Sequence, residues 1–308
     1  MHLFDSLFAS IKRLFTWLFF INKEQEKSSV ELLCHDAHLN SDEGSMLHHP
    51  FFNDTLYDYE AVKKELYSVY IFYNEYINDI SFFDFNDILI VTDMKAYLKS
   101  EGIENASMQA GATMPRMSNG CFQVIIDVSN NDSENSIVLM HELTHIYDFE
   151  KYLQHHKCRD KERETRTLPN YHGFFAYTEF HASFCSEFFY AKYLTFLWEK
   201  DVEAIARPEF ISSLDQYIAI KKQEISDGTF SNHALEQLLG KFLILDMYNN
   251  IDQIEKSCVY QFAPQLFESP KTEFVIQLFL LFRDALVNMN VFADLAYIEN
   301  ALFQLNAV

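Results

Sequence analysis

The chain has 308 residues, enough for a large core in one or two domains, and 49% of them are apolar, which excludes disorder along its length. Its formal charge of −21 argues against a general nucleic-acid binder, because phosphate backbones would be repelled. With 6 Pro and 7 Gly against 30 Phe and 17 Tyr, it lacks the turns of a sandwich or barrel and favours long helices.

The stretch LFDSLFASIKRLFTWLFFI opens the chain, with apolar residues at Leu3, Phe4, Leu7, Phe8, Ile11, Leu14, Phe15, Leu18 and Phe19. That spacing predicts an amphipathic helix within residues 1–21. Lys12 and Arg13 interrupt it, which argues against a membrane span and leaves a cleaved export signal as the least favoured reading. The two favoured readings are a helix docked on the core or on a partner, and one lying on a membrane surface. A polar linker runs on to residue 55. Residues 56–79 carry aromatics three and four apart and predict a helix. DILIVTD at 87–93 predicts a strand, and DMKAYLKSEGI a short helix ended near Gly102.

The segment SMQAGATMPRMSNGCFQVIIDV predicts two strands joined at Asn119-Gly120. CFQVIIDV is the strongest strand in the chain, and either presents an open edge to an extended peptide or lies inside a sheet. The period then changes from two to 3.6. Asn131, with Glu134 three residues on, is set to cap a buried helix over VLMHELTHIYDFE, with Asp132 and Ser133 as rival caps. A charged loop is expected up to Gly173 and a long helix over 174–200. Further helices are expected near 208–226, 231–248, 251–264 and 270–303, the last with room for a break. Five scattered cysteines, without a CxxC pair, read as thiols of a reducing, cytoplasmic compartment.

The chemistry is concentrated in His141-Glu142-Leu143-Thr144-His145. On a helix, histidines four apart share one face, so two ring nitrogens can reach one zinc ion at about 2.0–2.1 Å. Glu142 then lies beside the metal as a general base, the arrangement of hydrolytic HExxH sites. A catalytic zinc takes a third protein ligand. Glu179 in YTEFHASFCSEFF is the leading candidate, with His181 and Asp148 as rivals. His181 lies about 200° round the helix from Glu179, so the two do not face one metal easily. Asp148, one turn beyond His145, is either a ligand or a carboxylate that orients one. Glu187 falls roughly on the face of Glu179, two turns on.

HELTH followed by Glu179-Phe180-His181-Ala182-Ser183 resembles the glutamate-zincin peptidases, and is most similar to the ImmA/IrrE-like group, over roughly residues 120–190. The resemblance implies zinc held by His141, His145 and Glu179, and cleavage of peptide bonds in a protein substrate. Ala182 matches the small residue of the second metal helix. Ser183 stands where many members carry an aspartate that orients a zinc histidine. An oxyanion donor is also expected, with Tyr171, His172 and Tyr177 as candidates.

The chain is thus expected to be α+β. Residues 1–55 form the helix and linker, 56–205 a zincin-like catalytic domain with a small sheet, and 206–308 a helical domain or extension. The competing reading is an inactive zincin-like scaffold that works through protein contacts, against which the intact Glu142 speaks.

Overall fold

The computed structural model describes residues 51–307 other than 54, 79, 81, 103–110, 116–121, 130–134, 158–164, 199–215, 249–250, 252 and 289–290. The N-terminal helix, the Asn119-Gly120 turn and the cap at Asn131 lie outside the described residues.

Helix α1 (Tyr59–Tyr76) starts at Asp58, whose carboxylate accepts from the N–H groups of Glu60 and Ala61 and so satisfies donors of the first turn. Strand β1 (Ile88–Val91) leads into α2 (Met94–Ser100), capped by Asp93. Gly102, at φ +81°, follows it in the left-handed conformation that glycine adopts without strain. Strands β2 (Gly111–Pro115) and β3 (Phe122–Asp127) complete a three-stranded sheet of order β1-β3-β2. β1 pairs with β3 in parallel, Ile88 opposite Val124, and β2 pairs with β3 antiparallel, Gly111 opposite Ile126.

CFQVIIDV therefore supplies the central strand and not an edge. Val124, Ile125 and Ile126 are all fully buried, so both faces of β3 are covered, as a central strand requires. Among the described residues β1 and β2 are the two edges beside it. Asp127 ends β3 and ties it to α2 and to the next turn, since its carboxylate accepts from the backbone N–H of Met94 and of Ser129, both at 2.9 Å.

Among the described residues seven helices follow: α3 (Asn135–His155), α4 (Tyr171–Trp198), α5 (216–226), α6 (Asn232–Tyr248), α7 (Cys258–Leu266), α8 (Lys271–Asn288) and α9 (Val291–Asn306). α4 is the hub, packed against α3, α6 and α9. Its apolar residues do not keep to one stripe: Phe174, Ala176, Tyr177, Phe180, Phe184 and Phe188 are all buried, the pattern of a helix enclosed on several sides. Tyr152 of α3 stacks on Phe174 with centroids 3.9 Å apart, and Phe282 of α8 on Phe180 at 4.8 Å. Two glycines permit the closest crossings. A Cβ on Gly173 would lie 2.4 Å from the carbonyl oxygen of Leu295, and one on Gly240 would lie 2.8 Å from that of Phe180.

The fold is α+β, with one small mixed sheet among the described residues and a predominantly helical remainder. A continuous apolar core runs from Leu66 on α1 to Leu305 on α9, so the helices after residue 206 share it with the motif helix. No helix among the described residues is long and apolar enough to cross a membrane.

Candidate metal centre

α3 turns His141 and His145 inward one above the other, with ring centroids 4.7 Å apart and Nε2 atoms separated by 3.0 Å. α4 brings Glu179 against them. Its Oε2 lies 3.6 Å from His141 Nε2, and its Oε1 lies 3.6 Å from His145 Nε2. One ligand atom from each of the three residues falls within a common 4.8 Å, so the group can hold a metal ion. The buried Oε2 of Glu179 has no hydrogen-bond partner. A buried carboxylate oxygen outside any aligned hydrogen bond is costly, and here it lies 3.6 Å from His141 Nε2 and 3.1 Å from His233 Nδ1. Two nitrogens and one carboxylate are a donor set that fits a small divalent cation.

Burial alone would push Glu179 up, but the imidazoles of His145, His141 and His233 overcome it and hold the carboxyl well below the usual range. Burial pushes His145 down. Burial also pulls on His141, yet the Glu179 and Glu142 carboxylates lift it above its ordinary value. Glu236, buried on α6, is held well above the usual carboxylate range by burial and by the charge of Glu179.

A buried chain of hydrogen bonds fixes the orientation of His145. Thr178 Oγ1 donates to Asp148 Oδ2 at 2.9 Å, and its remaining lone pairs face His145 Nδ1 at 3.0 Å. The proton of His145 is thereby drawn to Nδ1, leaving the Nε2 lone pair toward Glu179. Asp148 is not among the grouped ligands. It is the carboxylate behind the histidine, acting through a threonine. Its other partner is His181, whose Nδ1 lies 3.0 and 2.9 Å from the two carboxylate oxygens. Burial would push His181 down, but Asp148, together with Cys185, holds it well above the usual imidazole range. His181 thus faces Asp148 and stands outside the ligand group.

Glu142 is buried on α3 against β2. A Cβ on Gly111 would sit 2.4 Å from Val138 Cγ1 and 2.9 Å from Glu142 Oε1, so a side chain here would have to displace Val138 and the glutamate carboxylate. Tyr73 of α1 donates to Thr144 Oγ1 at 3.0 Å and fastens the far side of the motif helix.

The remaining sequence candidates are placed elsewhere. Ser183 faces α6, where its hydroxyl donates to the carbonyl of Gln237 at 3.2 Å, and does not orient a histidine. Glu187 pairs with Lys241. Tyr171 and His172 were expected in a loop overhanging the cleft, but they form the first turn of α4. The helix begins directly after Asn170, which takes the turn at φ 59°, and Phe174 N–H already donates to the Asn170 carbonyl at 2.9 Å. The His172 side chain is exposed, and its backbone N–H donates to Glu299 of α9 at 3.3 Å. Tyr177 is buried between Phe180 and Phe282, and burial holds its hydroxyl well above the usual range.

Sequence reasoning missed two residues. Thr178 directly precedes Glu179 and has no motif of its own. His233 comes from α6, with Nδ1 at 3.1 Å from Glu179 Oε2 and Nε2 at 2.9 Å from Gln237 Nε2. The spacing His233-x-x-Glu236, with Gln237 next to it, was the available signal, because three and four residues share a helix face. Compared with protein-family models, with curated proteins and with solved structures, the chain matches none.

Proposed function

We propose that the chain is a zinc-dependent peptidase of the glutamate-zincin kind, acting on peptide bonds of a protein substrate. The observation that carries this reading is the convergence of His141, His145 and Glu179 on one point, with Glu142 on the same helix. Zinc suits two imidazoles and a carboxylate, and when bound supplies Lewis acidity and lowers the pKa of water toward 7. Glu142 is the group in this chain able to accept the proton of an attacking water and pass it to the departing amine nitrogen. His145, locked through Thr178 and Asp148, keeps its Nε2 lone pair directed at the centre. Of the two edge strands among the described residues, β2 is the one that approaches Glu142 on α3, and an extended peptide pairing there would run past that carboxylate.

The test is metal analysis of protein purified without chelator, paired with Glu142→Gln. Both proteins are expected to hold about one equivalent of zinc, with hydrolysis reduced about 10²–10⁴-fold in the variant. Protein that takes up no metal would overturn the proposal. Metal in both without cleavage of any peptide library would instead favour a scaffold that works through contacts.

A further inference from the structure

From α6, His233 reaches Glu179 directly, Gln237 reaches His233, and the charge of Glu179 acts on Glu236. His233 is the one in direct contact. Its Nδ1 lies 3.1 Å from Glu179 Oε2, and its Nε2 lies 2.9 Å from the Gln237 side-chain amide nitrogen. Because the amide N–H donates, Nε2 accepts and the ring proton belongs on Nδ1, facing the carboxylate. His233 stands outside the group of ligand atoms, so it is not a fourth ligand in this arrangement. It also closes the outer side of Glu179: the His233 side chain is 45% exposed, that of Glu179 only 8%. Oε2 has a donor at hydrogen-bond distance without hydrogen-bond alignment, a fault that a small turn of either side chain removes.

We propose that His233 is a positioning residue of the metal centre. It donates Nδ1–H to Glu179, fixes which way that carboxylate faces, and makes α6 part of the site. The inference rests on the reading of His141, His145 and Glu179 as metal ligands. It deepens that reading by giving Glu179 the same kind of outer partner that Thr178 gives His145. Ligand partners of this kind change metal affinity by about 10–100-fold when removed.

The experiment measures zinc affinity by competition with a chromophoric chelator, and the visible absorption of the cobalt(II) form, for the full chain and its variants. His233→Ala is expected to lower affinity about 10–100-fold and alter the cobalt spectrum, with the melting temperature of the metal-free protein little changed. His233→Asn, whose amide nitrogen can take the place of Nδ1, should recover most of the loss. His233→Gln, with its amide a bond farther out, should recover less. Gln237→Ala should fall between the parent and His233→Ala. Tyr297→Ala, on the exposed side of α9, should match the parent. Unchanged affinity and spectrum in His233→Ala overturn the positioning role, as does an Asn variant as weak as the Ala variant. A parent protein that binds neither zinc nor cobalt instead removes the metal site itself, so the two failures are distinguishable.

Discussion

Thr178 tests how much of the site depends on a single hydroxyl. It links the Asp148 carboxylate to the Nδ1 of His145, and all three residues are buried. Thr178→Val keeps the shape and deletes both hydrogen bonds. A buried polar group left unpaired costs about 1–3 kcal/mol, so the melting temperature should fall. Zinc affinity should drop about 10-fold or more, because the His145 ring loses the partner that selects its tautomer. Thr178→Ser keeps the hydroxyl and should stay near the parent in affinity. Calorimetry and chelator competition check both. A Ser variant that loses as much as the Val variant would show that the hydroxyl does not carry the effect and would remove the relay. At this scale the sequence was legible where spacing carries geometry. Residues four apart on a helix must share a face, so His141 and His145 were readable, and the second helix offered Glu179. Thr178 and His233 were not readable, because one is an ordinary neighbour of Glu179 and the other meets it only through tertiary packing.

Among the elements, α4 and α6 decide whether Glu179 stays in place, and their crossing depends on Gly240. A Cβ there would sit 2.8 Å from the Phe180 carbonyl oxygen and 3.1 Å from both the Phe184 nitrogen and Ser183 Cβ. The first two obstacles are helix backbone, which cannot swing aside, so the helices themselves must part. Gly240→Ala is expected to destabilise the fold by about 1–3 kcal/mol, the usual range for overpacking. It should also weaken metal binding, since Phe180 is next to Glu179. Gly228→Ala is the contrast. At φ +70° with nothing within 4 Å, it meets backbone strain alone, about 1–2 kcal/mol, and should leave affinity unchanged. Denaturant melts with zinc competition separate the two; equal affinity loss in both would break the link between crossing and site. The elements themselves were largely legible, because the switch from alternating to 3.6 periodicity marks β3 and α3 directly. The start of α4 was not: Asn170 in the left-handed region hides the boundary, and so Tyr171 and His172 read as loop. The role of β3 was ambiguous for a related reason, since an apolar strand does not announce how many neighbours it has.

On the scale of the whole molecule, the question is whether residues 56–205 can stand alone. Residue spacing pointed to the α+β class and the helical remainder, but it left everything after residue 206 as a helical domain or extension without recognisable chemistry. Contacts such as Glu179 with His233 or Phe180 with Phe282 join distant segments that share no local pattern. In the folded chain α4 is covered by α3 on one side and by α6, α8 and α9 on others, and the apolar core is continuous through them. Truncation after residue 205 would expose Phe180, Phe184 and Phe188 of α4 together with the ring faces that meet Phe282. Each such side chain contributes roughly 1.5–3 kcal/mol when fully buried, and a domain has only about 5–15 kcal/mol of net stability. Uncovering three of them removes an amount comparable to the whole margin. The fragment 56–205 is therefore expected to lack a cooperative thermal transition, to show weak near-ultraviolet dichroism, and to bind zinc poorly even though it keeps His141, His145 and Glu179. The full chain should melt in one transition that zinc shifts upward. A fragment with a sharp melt and parental zinc affinity would show instead that the metal centre belongs to α3 and α4 alone, and that α6 merely leans against a finished site.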